Sequence, residues 1–567
     1  MKFQAGKVTC FRSTRRLWIG LLLLATALRL PAPDWDAPSS DVGMAMAAHP
    51  DERFLLGVAQ ATPLWGDPNA ASPDFPYGHL PVYVARLFVL VAPTADPLIA
   101  LRLFSGLIGV LLVALAGAWG HTLAGRRGAA AEWGALLAAA LMACAPFAIQ
   151  QARFYTVDPL GAALASGAIL AATRRRWPLA GMLSGLALAC KTSLAWCAVV
   201  VGVGYVLWVI QIHLAPYTSR LLSTVYHLLV HVLLPLTLAF VLASPWAVLR
   251  PAASWNGPAI QALMAAGRFD FPYTRQYART WPFLYPLVQM ALWGLGPAAT
   301  LLGIVGMVAA WRRWRRLPFT PGLAIVWMLT YFLMTAGLYV KFPRYLLPLY
   351  PVWAGWAASA CVRRQKSHVV RRGLAVPALV TTALLGWAQV SIYTAPHPWI
   401  AASQWIYANV PAGSTIAGEE WDHTLPVPLC EGDAARYLLL TAPVYAAETP
   451  EKATRLAEIA QNADVVVLAS QRGYGALGRQ PDRYPLTLNW YEQLLDERDV
   501  IAFGRCPHLG PLALSDDPLA DAGLTPSLSL AERCGTRYAL RLPHLDESFR
   551  VYDAPPVLLF RRKGIRH

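Results

Sequence analysis

Residues 178–212 read PLAGMLSGLALACKTSLAWCAVVVGVGYVLWVIQI, and the way this run crosses a bilayer decides the topology of everything after it. A spanning helix needs about 20 apolar residues. This run is too long for one span, and Lys191 is the single charge near its middle. It reads either as one broken helix or as a tight hairpin. Arginine clusters choose between them. With the N-terminus inside, a hairpin places Arg126–Arg127, Arg174–Arg176, Arg312–Arg316 and Arg363–Arg372 on the cytoplasmic side, the positive-inside pattern. A single span would put the last two clusters outside, so the hairpin is preferred and Lys191 turns at the outer face.

Composition agrees with a membrane chain. Of 567 residues, 56% are hydrophobic and 14% charged, whereas a soluble domain carries roughly 25% charged residues. The net charge of +16 comes in short bursts between apolar runs. That is topology rather than a nucleic-acid surface, and no nucleic-acid partner is expected. Basic residues 1–16 precede an apolar run, Leu17–Leu30, with no small-residue cleavage site after it. It reads as an uncleaved first span with a cytoplasmic N-terminus. Further spans are expected near 98–120, 130–149, 158–173, 225–248, 286–310, 320–339, 345–361 and 374–392, about eleven with the first and the hairpin. Val82–Val91 is too short to span and reads as interfacial or re-entrant.

Beyond 393 the character changes. Apolar runs shorten to strand length at Val465–Ala469, Val500–Phe503, Tyr538–Leu542 and Val557–Phe560, with amphipathic stretches at Glu451–Gln461 and Leu488–Leu495 between them. Alternating strands and helices predict an α/β domain over 394–567, facing the extracytoplasmic side, after a membrane module over 1–393. No GxGxxG follows its strands. Cys506 and Cys534 can pair if this domain faces an oxidising compartment, leaving Cys430 odd; the other cysteines read as inert packing residues. No Cys/His spacing suggests zinc, so no metal and no cofactor is expected.

The chemistry-bearing residues gather on the outer side. The external loop over 31–80 holds Asp34, Asp36, Asp41, Asp51, Glu52, Asp67 and Asp74 against one basic residue, Arg53. Loops this long are usually functional. Within it HPDE, His49–Glu52, sets two carboxylates at a membrane surface, where charge is costly. Asp51 can serve as a general base. Glu52 lies on another helix face and would orient Asp51 or touch an acceptor. The same PDE also simply suits a helix first turn. DFPYGHLP, Asp74–Pro81, offers Asp74, Tyr77 and His79 at a Pro/Gly-shaped turn, or is an ordinary loop–helix junction. Arg153 and Asp158 in ARFYTVDP, Lys191 in ACKTS, and Lys341 and Arg344 in KFPRYLLPLYP are basic or ion-pairing groups on the face that positive-inside bias disfavours. Such groups suit a phosphate head group. Taken singly, each is equally a local ion pair or a snorkelling side chain.

Together these words carry a family resemblance. HPDE with YGHLPVYV, ARFYTVDPL, GLALACKTS and RYLLPLYP stand in that order, followed in the tail by WIYANVPAGSTIAGEEWD, ADVVVLASQRGYG, RYPLT and VYDAPPVLLFRR. The chain resembles the GT-C superfamily of polyprenyl-phosphate-dependent glycosyltransferases, in its family 39 branch with the protein O-mannosyltransferases and the aminoarabinose lipid A transferase. The resemblance implies a polytopic α-helical GT-C membrane fold with a C-terminal α/β domain that would cap the site or help select the acceptor. It implies an inverting glycosyltransferase in the plasma or inner membrane. Its donor would be a polyprenyl-phosphate sugar, its acceptor a lipid, glycan or protein, and membrane lipids would be further partners. Asp51 would be the base with Glu52 assisting; Lys191, Arg344 and Arg153 would bind the donor phosphate; His49, Asp74, Tyr77, His79 and Asp158 would lie near the acceptor. YGHLP departs from the HPP-like or KPP-like word of those relatives, which leaves the acceptor open. A lipid-linked-sugar flippase and a non-catalytic assembly protein are the alternatives.

Overall fold

The computed structural model describes residues 2–37, 47–91, 96–125, 128–212, 224–312, 319–362, 368–429 and 432–563. Asp41, Cys430 and the arginines at 126–127, 313, 315–316 and 363–364 lie outside the described residues. The chain forms two compact units. The first comprises Met1–Pro33, Pro50–Ala266 and Pro282–Gly386; the second comprises Asp34–His49, Gly267–Trp281 and Trp387–His567.

The first unit is helical. Among the described residues, five helices are long and apolar enough to cross a membrane: Pro97–Ala124, Thr192–Ile210, Thr224–Ala243, Phe319–Ala336 and Gly373–Asn409, the last running on into the second unit. Shorter apolar helices cover Leu80–Val91, Ala129–Cys144, Val157–Thr173, Trp177–Leu188 and Pro297–Trp311. This is a multi-pass membrane architecture. The elements that build the candidate site are α1 (Pro50–Ala61), α2 (Leu80–Val91), α3 (Pro97–Ala124), α4 (Val157–Thr173), α5 (Trp177–Leu188) and α6 (Ala195–Ile212). The long apolar run therefore divides into α5 and α6, with Lys191 between them.

Sequence explains how these elements meet. Asp51 and Glu52 occupy the first turn of α1, where negative charge suits the helix dipole. Leu55, Val58 and Ala59, spaced for one face, bury against Val82 and Ala85 of α2, Leu101 of α3 and Tyr155. Gly181 and Gly185 of α5, one turn apart, let the helix ending at Ala243 approach closely. A methyl at either would meet the carbonyl oxygen of Val232 at 2.3 Å or of Leu236 at 2.2 Å. Small residues spaced this way let membrane helices pack backbone to backbone. Beside this seam lies an apolar groove of about 850 Å³, lined by Leu80, Val84, Leu179, Met182, Leu186 and Leu238, among others.

The second unit is built on a five-stranded sheet, order β2-β1-β3-β8-β4, with β1 Thr415–Glu419, β2 Leu438–Ala442, β3 Val465–Leu468, β4 Arg498–Phe503 and β8 Val557–Arg562. β2, β1 and β3 run parallel and β8 antiparallel to both its neighbours. All four residues of β3, VVVL, are buried, as a central strand covered on both faces requires. Helices Pro450–Asn462 and Pro485–Glu497 contribute Leu456, Ile459, Leu488 and Leu494 to the core. Asp34–His49 and Gly267–Trp281 join this unit through side chains: Trp35 packs on His397 (5.1 Å between ring centroids), and Arg275 lies over the Tyr445 and Tyr484 rings. A second sheet, β5 (His508–Leu509), β6 (Leu512–Ser515) and β7 (Tyr538–Arg541), carries the Cys506–Cys534 disulfide beside it.

That disulfide joins cysteines 28 residues apart, so its loss should cost about 3–4 kcal/mol by the chain-entropy relation. Cys506→Ser in the full chain should speed backbone hydrogen exchange across residues 498–541. Unchanged exchange there would show that the bridge does not hold the small sheet.

Candidate functional site

Five side chains from separate elements of the first unit meet. Arg344, in the 3₁₀ segment Pro343–Leu349, donates from Nη1 to Asp51 Oδ2 at 2.6 Å. Its Nε lies 3.9 Å from Asp158 Oδ2. Lys191 donates from Nζ to Asp158 Oδ1 at 2.7 Å and lies over the Tyr345 ring at 4.4 Å. The Tyr77 hydroxyl faces the Asp51 carboxylate. Burial, then the Asp51 charge, pushes the Tyr77 phenol well above its ordinary value, so it stays a proton-bearing donor. The chain Asp51–Arg344–Asp158–Lys191 alternates in sign and sums to zero formal charge. Asp51 and Arg344 retain 18% and 16% side-chain exposure, so the cluster is reachable.

Backbone geometry explains why Tyr77 and Lys191 share this place. The Gly78 N–H donates to the Cys190 carbonyl at 3.1 Å and the Leu80 N–H to the Ala189 carbonyl at 3.1 Å. A methyl on Gly78 would lie 2.0 Å from the Ala189 oxygen, so only glycine fits. The YGHLP turn is thus stitched onto the turn between α5 and α6. The apolar groove continues from the same two elements, through Leu80 and Leu186.

Glu52 does different work. It is fully buried and accepts from Arg102 Nε at 3.0 Å and Nη2 at 2.7 Å, and from the Tyr155 N–H at 2.8 Å. Arg102 also donates to the Pro33 carbonyl. Arg153 donates to the carbonyls of Pro31 and Leu28, and Lys341 to that of Tyr339, so both cations bond backbone. Asp74, with φ 57°, accepts from Asn256 Nδ2 at 2.6 Å. His79 is buried among Phe75 and Tyr83, and burial pushes its imidazole down to about 4, which keeps it neutral. His49 belongs to the second unit, its ring 4.1 Å from that of Tyr552. Within the first unit the structure therefore gathers Asp51, Tyr77, Asp158, Lys191 and Arg344, and holds Glu52, Arg153, Asp74 and His79 elsewhere. Arg102 and Tyr345 escaped the sequence reading. Arg102 had a signal, being a lone arginine inside an apolar run, where a charge needs a partner. Among the described residues no group of three His, Cys, Asp or Glu is placed to hold a metal ion.

Fold and site together define a multi-pass helical membrane protein with an α/β unit and an ion-paired cluster beside an apolar groove. No family model and no curated protein matches the chain. Solved structures resemble it. The oligosaccharyltransferase AglB from Archaeoglobus fulgidus, in complex with an inhibitory peptide and a dolichol-phosphate, is 14% identical over 88% of this chain and 74% of its own, with a TM-score of 0.48. ArnT from Cupriavidus metallidurans bound to undecaprenyl phosphate is 16% identical over 82% of this chain and 95% of its own, with a TM-score of 0.44. The arabinofuranosyltransferase AftD from Mycobacteria is 15% identical over 97% of this chain and 41% of its own, with a TM-score of 0.40.

Glu52 is the residue whose loss separates structure from chemistry. Glu52→Ala strands the buried Arg102 charge and should cost about 3–5 kcal/mol of stability. Thermal unfolding of the purified chain checks this, and wild-type stability would show that Arg102 finds another partner.

Proposed function

We propose that the chain is an integral-membrane glycosyltransferase that moves a sugar from a polyprenyl-phosphate donor to an acceptor on the extracytoplasmic side. The observation that carries this reading is the meeting of Asp51, Tyr77, Asp158, Lys191 and Arg344 beside an apolar groove that suits a prenyl chain. Two cations in a low-dielectric setting attract a phosphate strongly. In the resting cluster both are held by carboxylates. An entering phosphate takes Lys191 and Arg344, and Asp51 is released from its ion pair as the donor arrives.

Asp51 then accepts the proton of the acceptor nucleophile as that atom bonds the anomeric carbon. The bond from that carbon to the phosphate oxygen breaks, and its electron pair leaves with the phosphate. Lys191 and Arg344 stabilise the charge that develops there. Attack opposite the leaving group inverts the anomeric centre. Tyr77 orients Asp51, and Asp158 keeps Lys191 beside Arg344. No step calls on a metal or other cofactor. About eleven spans with a cytoplasmic N-terminus, and a domain boundary near 393, complete this reading; the Cys506–Cys534 disulfide supports an oxidising, extracytoplasmic setting for the tail.

Asp51→Asn should lower kcat by about 10²–10⁴-fold while leaving polyprenyl-phosphate affinity intact or stronger. Arg344→Ala and Lys191→Ala should instead weaken that affinity. Membranes incubated with radiolabelled polyprenyl-phosphate sugars test both, and full transfer by Asp51→Asn would sink the base assignment.

A further inference from the structure

A second polar cluster lies in the other unit, at the C-terminal ends of β1 and β3. These parallel strands end side by side, and such strand ends are where α/β sheets bind ligands. The chain leaving β1 supplies Glu419, Glu420, Trp421 and Asp422; the chain leaving β3 supplies Ser470, Gln471 and Arg472. Tyr445 and Glu547 complete the set, with Tyr445 in electrostatic reach of Glu419, Asp422, Arg472 and Glu547.

Several of these groups are buried with hydrogen-bonding capacity left over. Glu419 is 7% exposed; its Oε1 accepts from the Tyr491 hydroxyl, while its Oε2 has no hydrogen-bond partner in the protein. The Tyr445 hydroxyl and Gln471 Oε1 are likewise buried without partners. Leaving such groups unsatisfied costs about 1–3 kcal/mol each, so a cluster of them is built to receive something polar. The rim is strained. Trp421 has φ 64°, a left-handed backbone that bulky residues rarely adopt, and its carbonyl accepts from Arg472 Nη1 at 3.2 Å. The result is an indole held outward at 55% exposure beside Asp422, which accepts from the Ser470 hydroxyl at 2.6 Å.

We propose that this strand-end cluster is a binding site for a neutral carbohydrate, with the Trp421 indole stacking on a sugar face and Asp422, Arg472 and Glu419 bonding its hydroxyls. Each alternative chemistry conflicts with the residues. A phosphate would meet four carboxyl groups against one arginine. A metal ion lacks a three-ligand set among the described residues. A cationic peptide would meet the Arg472 guanidinium, which sits 3.4 Å from Glu547. Vicinal hydroxyls need planar groups that donate and accept side by side, together with an amphipathic aromatic face. Burial raises the carboxyls of Glu419 and Glu547 to about 8, the nearby Asp422 adding to the first and Arg472 opposing the second, so both offer a proton near neutrality. Binding at this cluster requires no transfer activity.

The test uses the full chain in lipid nanodiscs on an array of neutral oligosaccharides, with titration of those retained. Retention is expected, weakened about ten-fold or more by Trp421→Ala and by Asp422→Asn, a loss of about 1.4 kcal/mol. Trp421 is exposed, so Trp421→Ala should fold as the wild type, and it should bind polyprenyl phosphate with unchanged affinity. That second measurement separates failure here from failure of the glycosyltransferase reading. Retention of no neutral glycan, retention only of amine-bearing probes, or equal binding by both variants would each overturn the proposal.

Discussion

The first unit depends on one buried ion pair. A carboxylate removed from water is tolerated only when it is paired and its lone pairs are filled. Glu52 meets that demand in full, with two bonds from Arg102 and one from the Tyr155 amide. The three groups lie on α1, on α3 and in the loop leading into α4, so one interaction fixes three elements. Asp51, the next residue along, is thereby presented at the edge of the core. Asp158 stands in the first turn of α4, just after the Tyr155 loop, and inherits the same anchor.

The Asp51–Arg344–Asp158–Lys191 cluster obeys the opposite logic. Its four charges cancel, but Asp51 and Arg344 are less buried than the Glu52–Arg102 pair. Asp51 and Arg344 share one short bond and some exposure, and Arg344 reaches Asp158 only at 3.9 Å. A partly exposed pair can be rearranged by an incoming anion, whereas a fully buried pair resists it. The two adjacent carboxylates of HPDE thus divide between a buried ion pair and an accessible one because one helical step separates a buried face from an accessible one.

Much of this was legible before any coordinates. The break of the 178–212 run at Lys191 and the alternating strands of the tail follow from charge placement and run length, whereas the pairing of Cys506 with Cys534 stood open on the sequence, conditional on an oxidising compartment. Lys191, Arg344, Asp158 and Asp51 stood out because charge near a membrane needs a reason. The sequence could not show which external cations would converge, since that depends on backbone contacts far apart in the chain. Arg153 resembles Arg344 in composition and setting, yet it bonds the carbonyls of Leu28 and Pro31. Glu52 resembles Asp51, yet its partner lies on α3. The strand-end cluster of the second unit was visible only as words of a resemblance, because its residues come from β1, β3 and a late turn.

Rigidity is distributed unevenly around the cluster, and the distribution has a chemical sense. Tyr77 and Lys191 are tied through backbone: the Gly78 and Leu80 amides bond the carbonyls of the turn that carries Lys191, and no side chain at position 78 could intervene. Arg344, by contrast, reaches Asp51 through a long side chain from a 3₁₀ segment. In the proposed reaction, one cation at a fixed position would set the register of the phosphate and another would follow the charge as it moves from the reacting bond to the leaving oxygen. Lys191, seated over Tyr345 and bonded to buried Asp158, suits the first task. Arg344, shared between two carboxylates, suits the second. The glycine that looks like a mere turn-former in YGHLP is therefore what makes the fixed half of the site fixed.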